Sequence, residues 1–288
     1  MADGTTYSDN MVIPEVFGDM AQAEFTGKVR VAGSSAVKED NTLEGQPGET
    51  IHFPKWGALG DLDDLDEKTA IKPERLSTKD STATIKEAGK AVTITDRSRL
   101  VGMGDPEAEA QRQFGILAAR KVDADLIKAA QDTKDGKPFE VEVGETPSFG
   151  WDAMVEAIAA FGDEWDPSDF AGVYINAAQQ AQAFRDDQFI NAAKLGGDTP
   201  VQKGQIGVIG GVPVLTTNRI EAGKFLVIKN GALGLLYKQR PNVETQRHAL
   251  ARATDVVTTL HYAVKRLTDK GVAVATLAAD SGGGESGN

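Results

Sequence analysis

An α+β fold with a leading arm is the architecture this sequence predicts, and three observations point to it. Strand-like and helix-like runs follow one another without a regular βα rhythm, so a doubly wound parallel sheet is not indicated. One helical stretch, "GDPEAEAQRQFGILAARKVDADLIKAAQDT" (104–133), is far longer than any other. Residues 1–46 are polar and turn-rich, with too little apolar surface to be ordered except against something larger.

Within that arm, "MVIPEVFGDMAQAEF" predicts a short helix after Pro14, and "AGSSAVKEDNTLEGQPGET" reads as turns. "ETIHFPKW" (49–56) alternates as a strand does, and "STATIKEAGKAVTITD" (81–96) reads as two β-rich runs around Gly89. With no helical pattern to cover them, these strands predict a long projecting β-hairpin. The long helix has Asp105 as N-cap, Pro106 at the first helical position and Glu107 and Glu109 in the first turn. Phe114, Leu117, Ala118, Val122, Leu126 and Ala129 fall at helical spacing on one face. At ~1.5 Å per residue the rod is roughly 40 Å long.

After "DGKPFEVEVGETPS", the stretch "SFGWDAMVEAIAAFG" sets Trp151, Met154, Val155, Ile158 and Phe161 on a helical face that Gly162 ends. "FAGVYIN" reads as a strand and "NAAQQAQAFRDD" as a helix capped by Asn176. "IGVIGGVPVLTTN" reads as two strands folded around Gly210 and Gly211, and "GKFLVIKNGALGLLYK" as a hairpin around Asn230–Gly231, where both residues tolerate positive φ. After Pro241 come the β-rich runs "NVETQRHA", "DVVTTLHYAVKRLT" and "GVAVATLAA", with Leu260, Tyr262 and Val264 sharing one face. "DSGGGESGN" is a flexible tail, and no internal repeat is present.

Composition narrows the function. At 288 residues the chain is long enough for one large domain or two. The 31 Lys+Arg against 43 Asp+Glu leave a formal charge of −12, which disfavours nonspecific attachment to a phosphate backbone. No window approaches the roughly 18 apolar residues of a membrane span, and no signal peptide is evident. Zero cysteines exclude disulfides, thiolate catalysis and cysteine-ligated zinc.

Candidate chemistry is sparse. "GMGDPE" (102–107) has Glu107 where a dinucleotide loop needs its third glycine, and "IGVIGG" lacks the Lys-Ser/Thr pair of a phosphate loop. "DLDDLDE" (61–67) concentrates Asp61, Asp63, Asp64, Asp66 and Glu67, but Leu65 stands in a ligand position and the glycine of a calcium loop is missing. His52, His248 and His261 form no metal or triad pattern, and no G-x-S-x-G elbow occurs. No catalytic residue, cofactor or metal ligand is therefore assigned. A carboxylate site assembled by folding stands as the enzyme alternative.

The order of the pieces resembles a major capsid protein of a tailed bacteriophage with the Hong Kong 97-type fold. The residues that carry the likeness are "KEAGKAVTITD" before the long helix, "AARKVDADLIKAA" within it, and "IGVIGGVPVLTTNRI" followed by "GKFLVIKNGALGLLYKQR". They span most of residues 45–270. The resemblance implies an N-terminal arm at 1–46, an extended β-hairpin loop at 47–97 and a peripheral domain with a spine helix at 98–147. It continues with an axial domain at 148–238, return strands of the peripheral domain at 239–280 and a flexible tail at 281–288.

It also implies function by assembly: pentamers and hexamers forming an icosahedral head around double-stranded DNA, in the virion, after assembly in the bacterial cytoplasm. A separate scaffolding protein, a portal and a decoration protein are the expected partners, with no membrane and no sequence-specific DNA contact. An encapsulin-like cargo shell shares the fold and stands as the alternative. At the subunit interface, Asp61, Asp63, Asp64, Asp66 and Glu67 are expected to meet cations on a neighbour, with Arg97, Arg99, Arg112, Arg120 and Lys121 as candidates. Trp56 is a candidate anchor of the hairpin in a pocket between subunits or within the chain. Gly210 and Gly211 serve either a crowded contact between subunits or a simple turn.

Overall fold

The computed structural model describes residues 30–41, 44, 48–56, 59–60, 73–102, 104–134, 136–143, 148–186 and 205–278; at 54, 56, 79, 205, 206 and 209 it describes the backbone alone. In chain order the elements are β1 (Val37–Asp40), β2 (Thr50–Trp56), β3 (Thr78–Thr84), β4 (Lys86–Thr95), α1 (Asp96–Val101), α2 (Pro106–Gln131), β5 (Phe139–Val143) and α3 (Trp151–Ala159). Then come β6 (Phe170–Ile175), α4 (Ala177–Ala183), β7 (Gln205–Ile209), β8 (Val212–Thr216), β9 (Lys224–Lys229), β10 (Leu233–His248), β11 (Ala253–Arg266) and β12 (Val272–Leu277). The strands form a four-stranded sheet β1-β10-β11-β4, a six-stranded sheet β5-β12-β9-β6-β8-β7 and the pair β2-β3.

The long helix α2 organises both larger sheets. It starts where the sequence places it: the Asp105 carboxylate accepts from the Glu107 and Ala108 amides, and Pro106 follows. Its buried stripe runs through Phe114, Ala118, Ala119, Val122, Leu126, Ile127 and Ala130. Leu117 is exposed and Ala129 half-buried, because the groove between the sheets draws in the next position round the helix. Against this stripe pack Leu233, Leu235, Leu260 and Tyr262 from one sheet and Tyr174, Leu226 and Ile228 from the other. A second core lies on the far face of the six-stranded sheet, where Met154 and Ala157 of α3 and Ala183 of α4 meet Val173, Ile175, Val214 and Phe225. Val155 faces solvent instead, since a nine-residue helix buries one narrow face through Ala153, Met154 and Ala157.

Local turn chemistry held at several places. Asn176 caps α4 in a reciprocal pair with Gln179. Gly210 and Gly211, at φ +56° and +87°, make the tight reversal between β7 and β8, and a Cβ on Gly211 would stand 2.9 Å from Pro167 Cβ. The crowding there is within the chain.

Tertiary pairing overrode other local signals. Asn230–Gly231 does not close a hairpin: β9 pairs with β6 and β12, whereas β10 pairs with β1 and β11. The turn is a corner between sheets, held by the Asn230 amide donating to Asp169 O (2.7 Å) and the Gly231 amide to Ser35 O (2.8 Å). The break expected at Gly89 falls at Ile85, and Gly89 sits inside β4, where a Cβ would come within 2.8 Å of the Thr258 carbonyl. Nor does Pro241 interrupt β10; it occupies a register shift beyond the last β1 partner, where its missing N–H costs no ladder bond.

The hairpin β2-β3 does not simply project. Ile51 and Ala83, with Phe53 and Ile85 beside them, pack on Leu236 and Ala263 across the face of the four-stranded sheet opposite α2. The following strand, β4, leaves the hairpin and pairs along β11 from Tyr262 to Ala253.

Residues 30–36 close the structure. The amides of Arg30, Val31 and Ala32 donate to the Asp123 carboxylate of α2 at 2.7, 3.2 and 2.9 Å. Ser34 Oγ lies 2.6 Å from the Tyr174 hydroxyl of β6, and Val31 and Ala36 are fully buried. Burial pushes the Asp123 carboxyl above its ordinary pKa against the pull of the three amides. Asp123→Ala would strand those donors, so a loss on the order of 3 kcal/mol is expected. It should read as a lower urea midpoint with an unchanged slope.

Candidate assembly surface

The charged residues divide into a buried set that ties elements together and an exposed set at the rim. Arg266, at the end of β11, is the centre of the buried set. Its guanidinium donates to the carbonyls of Ala130 (2.8 Å), Asp132 (2.6 Å) and Gly136 (2.8 Å), covering the C-terminal carbonyls of α2, and its Nε donates to Asp269 at 3.0 Å. Asp269 also accepts from Lys55 of β2 at 2.8 Å, so one carboxylate joins the hairpin to the helix end.

A second buried carboxylate, Asp125, accepts from the Tyr262 hydroxyl at 2.8 Å, from Lys121 at 3.2 Å and from Lys86 at 3.3 Å. Burial alone would raise its pKa; Tyr262, Lys86 and Lys121 together hold it below the ordinary value. Sequence reading passed over Asp123 and Asp125. The available signal was Asp123 falling on the stripe of Ala119, Val122 and Leu126, where a carboxylate must find donors.

The candidate interface residues are scattered. Asp61, Asp63, Asp64, Asp66 and Glu67 lie outside the described residues, and of Trp56 only its backbone, at the end of β2, is described. Arg97 and Arg99 are exposed on α1, and Arg112, Arg120 and Lys121 are exposed on α2. Arg112 and Lys121 are nine residues apart, half a turn round the helix, so the five cations do not form one strip.

Three of the five already have acidic partners. Arg99 pairs with Glu107, Arg112 grips Glu109 through two bonds of 2.9 and 2.8 Å, and Lys121 meets Asp125. The Arg112 and Gln113 bonds draw the Glu109 carboxyl down to about 2. Arg97 and Arg120 make no ion pair among the described residues.

Among the described residues no group of three or more His, Asp or Glu could hold a metal. His52 and His248 make exposed pairs with Asp80 (2.7 Å) and Asp255 (2.9 Å), and Asp255 also accepts from the Thr93 hydroxyl at 2.6 Å. What the surface does present is apolar: Leu100, Val101 and Leu250 stand 84%, 77% and 103% exposed, together with Val155 and Phe184. Scattered singly such side chains are ordinary, whereas a contiguous apolar patch marks a surface that a partner covers.

Comparison with known proteins decides the family. The chain matches the phage capsid protein family over residues 78–280. It is 35% identical over 276 residues to the major capsid protein of Staphylococcus phage phiMR11, covering 95% of this chain and 96% of that one. This chain belongs to the phage capsid protein family.

Solved structures agree on the fold of this capsid protein. The capsid subunit of cyanophage Pam1 matches with a TM-score of 0.65 and 15% identity, over 98% of this chain and 100% of that one. A virus-like particle from Pyrococcus furiosus matches at TM-score 0.61 and 11% identity, over 91% and 98%. The capsid protein thus has the Hong Kong 97-type α+β fold expected from its sequence order.

The Asp269 junction gives a pH test. Burial would raise this carboxyl, but Lys55 and Arg266 outweigh burial and hold it below 3.8. A depressed folded-state pKa means stabilisation that is complete above 3.8 and lost as the pH falls through the folded value. Asp269→Asn should therefore unfold at lower urea than the wild type at neutral pH, with the gap narrowing as the pH drops below 3.8. A gap of constant width would contradict this role.

Proposed function

We propose that this capsid protein builds the icosahedral head of a phage by occupying five-fold and six-fold positions around packaged double-stranded DNA. The observation that carries the reading is the 35% identity to a major capsid protein along nearly the whole length of both chains. Fold likeness alone would serve a cargo shell as well, since the Pyrococcus particle shares the architecture at 11% identity. Shell assembly places the protein in the virion, with assembly proposed in the bacterial cytoplasm. A portal, a separate scaffolding protein and a decoration protein are the proposed partners, and DNA is enclosed rather than read. The formal charge of −12 suits a wall to which a phosphate polymer should not cling.

The division of labour follows the sheets. We take the six-stranded sheet with α3 and α4 as the axial domain, which brings β5 and β12 into it from the segments 98–147 and 239–280. The four-stranded sheet with α2 is then the peripheral domain, and β10 enters it from Leu233 onward. The arm before residue 30 and the hairpin segment between β2 and β3 are the parts proposed to adapt between pentamer and hexamer.

For the interface, the acidic stretch Asp61–Glu67 remains the proposed donor of negative charge. Arg97 and Arg120 are the favoured receivers of the five cations, because Arg99, Arg112 and Lys121 are engaged within the chain.

Two outcomes are expected. Purified protein, alone or with its scaffolding protein, should form closed shells in negative-stain images; a solitary monomer at high concentration contradicts the reading. Asp63→Lys with Asp64→Lys should lower shell yield at low salt while leaving the subunit's melting temperature unchanged. Each exposed pair contributes at most ~1 kcal/mol, so the effect rests on repetition over the shell.

A further inference from the structure

We infer that the far end of the β10-β11 ribbon is a contact between copies of this chain, in which Leu250 of one subunit seats in the hollow beside α1 of the next. The inference rests on the shell reading and names a surface within it. Among the described residues, nine large apolar side chains are exposed, and four of them, Val92, Leu100, Val101 and Leu250, lie at this end. Val92 of β4 pairs with Val256 of β11, near the ribbon tip, and α1 continues directly from β4.

The tip is rigid. Arg252 holds φ at +50°, with its amide donating to Ala249 O at 3.2 Å, and the Asp96 amide donates to Arg252 O at 2.9 Å. Arg247 adds two bonds of 2.6 and 2.7 Å to the Asp96 carboxylate, fixing the ribbon to the start of α1. Leu250 is therefore presented at full exposure by backbone that has little freedom to withdraw it. A fixed apolar knob loses little entropy when a partner covers it.

The matching hollow is next to the knob, on the same end of the molecule. It has a volume of about 410 Å³ and is lined by Thr95, Arg97, Ser98, Val101 and Gly102. Leu250 of the same chain does not fill it, since that side chain is 103% exposed. A knob and a hollow side by side on one surface are self-complementary, so two copies can exchange them reciprocally across a two-fold axis. Charge runs the same way along α1. Arg97 and Arg252 stand exposed near its start without an ion pair among the described residues, and the exposed Asp105 stands beyond its end. Asp96 at that start is taken by Arg247 and Arg99 near the end by Glu107, so in the pairing proposed the start of one α1 meets the end of the other with opposite sign. The occupant is a second copy of this chain.

The absence of cysteine from the chain makes a clean experiment. Leu250→Cys and Val101→Cys are introduced together, shells are assembled and oxidised, and the subunits are run under denaturing, non-reducing conditions. Covalent dimers are expected, with each single variant giving none. Assembled shells that yield no disulfide, or one only within a chain, would overturn the contact.

Independently, Leu250→Glu should keep the wild-type melting temperature, because it touches nothing in the free subunit, and lose shell yield by roughly tenfold or more; Leu250→Met should retain it. Normal assembly of the Glu variant refutes the inference while leaving the shell reading intact. Wild-type protein that forms no shells sinks that reading and this contact with it.

Discussion

The constraint on which the rest of the molecule depends is the seating of residues 30–36 at the meeting point of α2 and the two larger sheets. Asp123 reaches from the helix to three successive amides, Ser34 to the hydroxyl of Tyr174 in the six-stranded sheet, and Ser35 O to the amide of Gly231. From Val37 the same segment becomes β1, paired in parallel with β10. Without this wedge the β9-β10 corner would expose its backbone groups, and the core beneath α2 would lose Val31 and Ala36. A shell subunit whose copies interlock needs a body held together by such a junction.

Buried charge serves that same rigidity. Arg266 satisfies the last carbonyls of α2, which no intrahelical partner can reach, and shares Asp269 with Lys55 of the hairpin. Removing Asp269 would take from Lys55 and Arg266 the carboxylate that they share. Near the hairpin's other end, Ile51 and Ala83 rest on Leu236 and Ala263. Apolar contact and ion pair thus hold the hairpin base to the body, and adaptation is left to the segments beyond it.

The sequence disclosed what local chemistry determines. Asp105 with Pro106, Asn176 with Gln179, and the paired glycines at 210 and 211 each settle one turn of backbone, and each stands as read. It did not disclose which strands pair. Asn230–Gly231 has the composition of a hairpin turn, yet the bonds its amides donate to Asp169 O and Ser35 O make it a corner. Gly89 looked like a break because a strand interior seldom wants glycine; the need for it comes from Thr258 on another strand. The helix faces were displaced by one position at Leu117 and Val155, since apolar residues on these helices fill more than the stripe that the sheets can cover. Of the proposed assembly surface, the acidic stretch was visible as composition, whereas the exposed apolar end became visible only when β4, α1 and the ribbon tip came together.

Amide hydrogen exchange at Arg30, Val31 and Ala32 tests the central claim most directly, because all three donors meet the Asp123 carboxylate. If the wedge holds the body together, their protection in the free subunit should equal that of Leu126 and Leu260 in the core, and assembly should leave it unchanged. Exchange at the rate of an open turn in the free subunit, with protection gained only in the shell, would contradict a body that is rigid before its copies meet.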